Sequence, residues 1–109
     1  MIIGIDLGTT NSLVSVWQDG AAKLIPNPLG HVLTPSVVSL TDEGEVLVGL
    51  SALQRARTHP THTAQVFKRY MGTDRSLQLG KRSFRPEELS ALVLQSLKRD
   101  AEAYLGQPV

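Results

Sequence analysis

At 109 residues, 41% of them hydrophobic and few of them aromatic, the chain has material for one small domain with a modest core and no second large one. Its formal net charge of +1 makes no electrostatic case for nucleic acid, and the absence of cysteine excludes a disulfide framework and thiolate chemistry, as suits a reducing cytoplasm. No stretch approaches transmembrane length, and Met1 leads directly into an apolar run instead of a basic leader, so secreted and membrane-anchored classes find little support.

The run Ile2, Ile3, Ile5 predicts a short buried strand, and Gly8-Thr9-Thr10-Asn11 supplies turn chemistry at its end. Gly8 lacks a Cβ, so the backbone can bend tightly there and come close to a polyphosphate. Successive N–H groups in such a turn, with the hydroxyls of Thr9 and Thr10, make an anion-binding concavity that needs no cationic side chain. Asp6 at the strand end suits a hydrated magnesium ion, which keeps several waters and meets one or two carboxylates. The pattern points to ATP, yet the P-loop and Rossmann fingerprints are both missing.

Ser12 to Gln18 predicts a second strand, and Asp19-Gly20 a hairpin into a third, Ala21 to Ile25. The phosphate turn therefore lies between two strands, the layout of the actin-like ATPases, whose Asp-x-Gly-Ser/Thr turns from two lobes clamp a nucleotide. Trp17 reads as a core residue. Pro26, Pro28, Gly30 and Pro35 mark a connection, Ser36 to Leu40 and Glu45 to Val48 a hairpin across Asp42-Glu43-Gly44, and Ser51 to Thr58 a short helix closed by Pro60. His31, His59 and His62 lack the carboxylate or cysteine company of a zinc site, and Ser12 and Ser36 lack the partners of a nucleophile.

Gln65 to Gly72 is assigned as strand or turn around Lys68, which with Arg69 reads as a solvated basic pair. The final helix starts at Pro86, carries Glu87 and Glu88 in its first turn, and stops at Gly106 and Pro108. Leu89, Leu92, Val93, Leu97, Ala101, Tyr104 and Leu105 recur on one face.

Ile5-Asp6-Leu7-Gly8-Thr9-Thr10-Asn11-Ser12 resembles along its whole length the first signature of the seventy-kilodalton heat-shock chaperones, the DnaK-type family. Thr34-Pro35-Ser36-Val37-Val38, Phe67 to Gly72, Pro86 to Ser90 and Ala101 to Gly106 continue the resemblance. It implies an α/β (α+β) fold, a partial actin-like ATPase domain. Residues 1–25 form ribonuclease-H-like strands with the phosphate turn, and 26–109 a connection and an inserted small subdomain. It also implies an ATP-hydrolysing parent with ATP/ADP and Mg2+ as cofactors: Gly8, Thr9, Thr10 and Asn11 at the phosphates, Asp6 near magnesium through water, and Lys68 as catalytic lysine at the γ-phosphate.

Expected partners are extended peptide clients, a J-domain co-chaperone and a nucleotide-exchange factor, with no nucleic acid and no membrane. The expected location is cytoplasmic. The short stretch Thr73 to Arg82 resembles a divergent, HscC-like branch. Gln107-Pro108-Val109 reads as a cut before the next strand, giving an inactive N-terminal piece whose open first strand self-associates. The alternatives are a piece of an actin-fold sugar or acid kinase, or a non-enzymatic interaction module.

Overall fold

The computed structural model describes residues 2–109. β1 (Ile3–Leu7), β2 (Asn11–Gln18) and β3 (Ala21–Leu24) form an antiparallel meander with β2 in the centre. Asp19 and Gly20 both take positive φ, 52° and 78°, in the tight turn that an Asp-Gly pair favours between twisted strands. Along β2, alternation buries Ser12, Val14 and Val16 and turns Leu13, Ser15 and Trp17 to the other face.

Two expectations fail on this sheet for one reason. Trp17 is 58% exposed because it has the opposite parity from Val14 and Val16, and only their face is covered. The expected buried first strand is only half covered: Ile3, Ile5 and Leu7 meet the core, whereas Ile2 is 72% exposed. Among the described residues β1 pairs with β2 alone, leaving its other edge without a strand partner.

After the connection, β4 (Thr34–Pro35) returns to pair with the start of β2. Asn27 shapes that connection: its side-chain oxygen accepts from the N–H groups of Leu29 (3.0 Å) and His31 (3.1 Å), and its amide donates to Thr34 Oγ1 at 3.1 Å. β5 (Val38–Leu40), β6 (Val46–Val48) and β7 (Thr63–Ala64) make a second sheet, ordered β6-β5-β7. Between them α1 (Leu50–Thr58) buries Ala52 and sends Arg55 to the buried Ser39, whose Oγ accepts from Arg55 Nε at 2.8 Å.

A 3-10 turn, Phe67–Tyr70, resolves the segment around Lys68, and a hairpin follows that the sequence reading lacks: β8 (Leu77–Leu79) and β9 (Arg82–Phe84), joined through Gly80 at φ 61°. The last element is α2 (Pro86–Leu105). The Glu88 side chain accepts from the Arg85 N–H at 2.9 Å at its start, and Gly106 in the left-handed region (φ 70°) ends it. Leu89, Val93, Leu97 and Ala101 are almost inaccessible, each of the larger ones contributing about 1.5–3 kcal/mol by burial. Tyr104, assigned to that face, is instead 60% exposed.

α2 packs against β1, β2, β5, β6 and the Phe67–Tyr70 turn. Val14, Val16 and Ile25 of the meander therefore share one buried cluster with Val38, Phe67, Phe84 and the α2 residues. None of the described helices is long and apolar enough to cross a membrane.

Candidate functional site

Leu7 pairs with Ser12 across the β1–β2 ladder, leaving Gly8, Thr9, Thr10 and Asn11 to make the reversal. Its tightness is what requires glycine. A Cβ on Gly8 would lie 2.1 Å from the Asn11 carbonyl oxygen, a backbone atom that cannot swing aside. Gly8 is not in the left-handed region, so the requirement is for space, not for an unusual φ. The N–H groups of Thr9 and Thr10 have no protein acceptor among the described residues. Thr10 and Asn11 are exposed and Thr9 is half-buried, so this wall of the turn can meet a ligand.

The turn is held from its other side by Ser36. The Ser36 N–H donates to the Thr10 carbonyl at 2.9 Å, and its hydroxyl donates to the Gly8 carbonyl at 2.8 Å. Ser12 Oγ lies 2.7 Å from Ser36 Oγ. Both serines are almost fully buried. Sequence reasoning considered these serines only as nucleophiles and missed them as supports.

Lys68 comes to the turn from a distant part of the chain. Its segment opens with Val66 at φ 49°, an unusual conformation for a β-branched residue, and Phe67 is anchored in the core at 2% exposure. The exposed Lys68 ammonium then donates to the Leu7 carbonyl oxygen, immediately before Gly8. An ammonium has three donors, so this bond leaves two for a ligand at the turn. Downstream, Glu87 in the first turn of α2 accepts from the Gly72 N–H at 2.8 Å. That bond, the carboxylate's own backbone and Arg85 beside it hold the Glu87 carboxyl below the usual carboxylate range. Arg69 is exposed and forms no ion pair among the described residues.

Asp6 is exposed on β1, opposite Leu13 and on the face turned away from α2. No hydrogen bond or ion pair joins it to Lys68 among the described residues, so the chain brings Lys68 to the turn but links Asp6 to it only through the strand. No group of three or more His, Cys, Asp or Glu side chains able to hold a metal occurs among the described residues. A single solvated carboxylate fits magnesium that keeps its own waters and does not fit a fully protein-ligated ion. His59 and His62 bond instead to the hydroxyls of Thr58 and Thr61, and His62 Nε2 lies 3.6 Å from Asp42.

In comparison with known families, the family model described as Hsp70 protein matches residues 2–78. That span contains Asp6, the Gly8–Asn11 turn, Ser36 and Lys68, whereas α2 lies outside it.

Proposed function

The chain belongs to the Hsp70 family of chaperone ATPases, and from that premise we propose that its Gly8–Asn11 turn grips the phosphates of ATP while Lys68 faces the γ-phosphate. The observation that carries this reading is the approach of the Lys68 ammonium to the carbonyl of Leu7, beside a turn whose Thr9 and Thr10 N–H groups have no protein acceptor among the described residues.

The Thr9 and Thr10 N–H groups and hydroxyls receive phosphate oxygens, and Gly8 admits the close approach. Asp6 is the residue that would hold a magnesium ion, through hydrogen bonds from the metal's own waters. When bound, Mg-ATP supplies the scissile anhydride and the metal's charge. Lys68 neutralises charge beside the turn and helps to hold a water in line, which is most of what a protein contributes to phosphoryl transfer. These residues make one wall of a clamp. A second phosphate turn, the carboxylates for the hydrolytic water and the adenosine pocket come from residues outside these 109. ATP hydrolysis there drives binding and release of extended peptides, assisted by a J-domain co-chaperone and an exchange factor, in the cytoplasm. The short Thr73–Arg82 segment favours a divergent, HscC-like member, for which a particular exchange partner does not carry over.

Backbone NMR of the chain titrated with Mg-ATP tests the reading. Millimolar shifts confined to Gly8, Thr9, Thr10 and the Lys68 segment, without turnover, are expected. Shifts elsewhere, or none at the turn up to saturating nucleotide, sink it. Tight binding with Lys68-dependent hydrolysis would show that the chain completes its own site.

A further inference from the structure

We infer that the buried Ser12–Ser36 pair sets the orientation of the phosphate turn, with Ser36 as its positioning residue. This inference rests on the reading of the turn as a phosphate site.

The direction of each hydrogen bond follows from proton supply. A hydroxyl has one proton, and Ser36 spends its own on the Gly8 carbonyl oxygen at 2.8 Å. At the 2.7 Å contact between the two hydroxyls, Ser12 must therefore be the donor and Ser36 Oγ the acceptor. The chain Ser12 O–H to Ser36 O–H to Gly8 C=O is one-directional. At 1% and 3% exposure, the two hydroxyls have no water to replace a lost partner.

The consequence for the turn is geometric. A trans peptide points its N–H opposite to its C=O, and no peptide bond among the described residues is cis. Holding the Gly8 carbonyl toward Ser36 therefore turns the Thr9 N–H away from Ser36. The Ser36 N–H fixes the Thr10 carbonyl in the same sense and so turns the Asn11 N–H away too. One residue thus orients two peptide planes of a four-residue turn, 28 positions earlier in the chain in the case of Gly8. Pre-organised donors gain most when nothing has to reorient as the anion arrives. Without the Ser36 hydroxyl, the Gly8–Thr9 peptide is free to rotate and present its carbonyl oxygen to the phosphate, which repels it.

The test compares the wild-type chain with Ser36→Ala, Ser12→Ala, Ser36→Thr and Ser39→Ala. Ser39 is an equally buried serine whose own partners, His62, Thr63 and Arg55, lie outside the turn. The first readout needs no nucleotide: the Gly8 carbonyl carbon shift and the Thr9 amide order parameter. Ser36→Ala should move both, Ser36→Thr should restore them, and Ser39→Ala should leave them unchanged, with α2 resonances constant throughout. The second readout is the initial slope of the Thr9 amide shift against Mg-ATP. It should fall about tenfold in Ser36→Ala and less in Ser12→Ala, as expected for one hydrogen bond lost directly or weakened indirectly. Should Ser36→Ala fail to fold, Ser12→Ala alone must still shift the Gly8 carbonyl. Equal effects of Ser36→Ala and Ser39→Ala, or an unmoved Gly8 carbonyl, overturn the inference. A wild-type chain that shows the carbonyl response but no Mg-ATP shifts would retain the orientation and refute the nucleotide reading instead.

Discussion

The Lys68 ammonium donates to the main-chain carbonyl of Leu7 across 61 residues of sequence, so a cation from the 3-10 turn rests against the strand that opens into the phosphate turn. Lys68 is exposed, and its loss leaves no buried group without a partner. Lys68→Ala should therefore change the urea-unfolding free energy by no more than about 0.5 kcal/mol. Its effect belongs to ligand binding. The Mg-ATP-induced shift at Thr9 should weaken at least about tenfold, as for loss of a charge-assisted hydrogen bond. An unchanged titration would remove Lys68 from the site.

Gly8 and Gly20 separate two reasons for glycine. A Cβ on Gly8 meets the Asn11 carbonyl at 2.1 Å, whereas one on Gly20 meets nothing but is strained by φ 78°. Gly8→Ala should cost about 1–3 kcal/mol or more, because backbone must shift, and should broaden the Thr9 and Thr10 resonances. Gly20→Ala should cost only about 1 kcal/mol and leave those resonances in place. Denaturation curves of both variants, with assigned amide spectra, check the contrast.

Protonating Glu87 should release the segment that carries Lys68. The Gly72 N–H, more than any other group, favours the charged carboxylate, so the folded-state pKa lies below the unfolded value. The associated stability is thus present above the ordinary carboxylate range and disappears as pH falls through the depressed folded value. In a pH titration from 6 to 2, the Gly72 amide should move with the Glu87 carboxyl, with a midpoint below that of an ordinary glutamate. Glu87→Gln should abolish the pH response while Gly106 at the far end of α2 stays unaffected. A Gly72 shift that persists in this variant would assign the transition to another acid.

The elements legible in the sequence are those whose signals are local. Asp19-Gly20, the alternation of Val14 and Val16, and the Pro86-to-Gly106 helix with its acidic start each combine periodicity with a breaker. The β8–β9 hairpin was invisible because three-residue strands around Gly80-Lys81 are too short to show a period. Around Lys68, conformation is imposed from outside: Phe67 is pinned in the core and Val66 is forced to a positive φ that no propensity favours. Trp17 shows the opposite error. Its parity already placed it outside, and only its size suggested the core. Within the site, Gly8 to Asn11 and Lys68 could be named from resemblance, but the Ser12–Ser36 contact joins positions 24 apart and leaves no trace in either neighbourhood.

β1 should make the chain associate with itself. Its outer edge has no strand partner among the described residues, and a groove lined by Ile2, Ile3, Ile5 and Leu94 runs beside it. An unpaired apolar edge is a template for a second strand. Light scattering at high concentration should show dimers, and Ile2→Lys, at a position 72% exposed, should shift them to monomers without loss of fold. A wild-type chain that stays strictly monomeric would show that the edge is protected.

Asp100 should limit stability at neutral pH. It lies half-buried on α2 beside Asn27 and Pro28, and burial raises its pKa, with Arg99 offsetting part of that effect. A raised folded-state value means that the folded chain binds the proton more tightly than the unfolded one. The penalty is therefore full above the folded pKa and vanishes below the unfolded one. Asp100→Asn removes the charge but keeps the shape, so its urea midpoint should exceed that of wild type at pH 7 and coincide with it at pH 3. If the variant is less stable at pH 7, the carboxylate must hold a favourable partner that outweighs its desolvation, and the Pro26–Pro28 connection, which lines the same hollow, is where that partner would be sought.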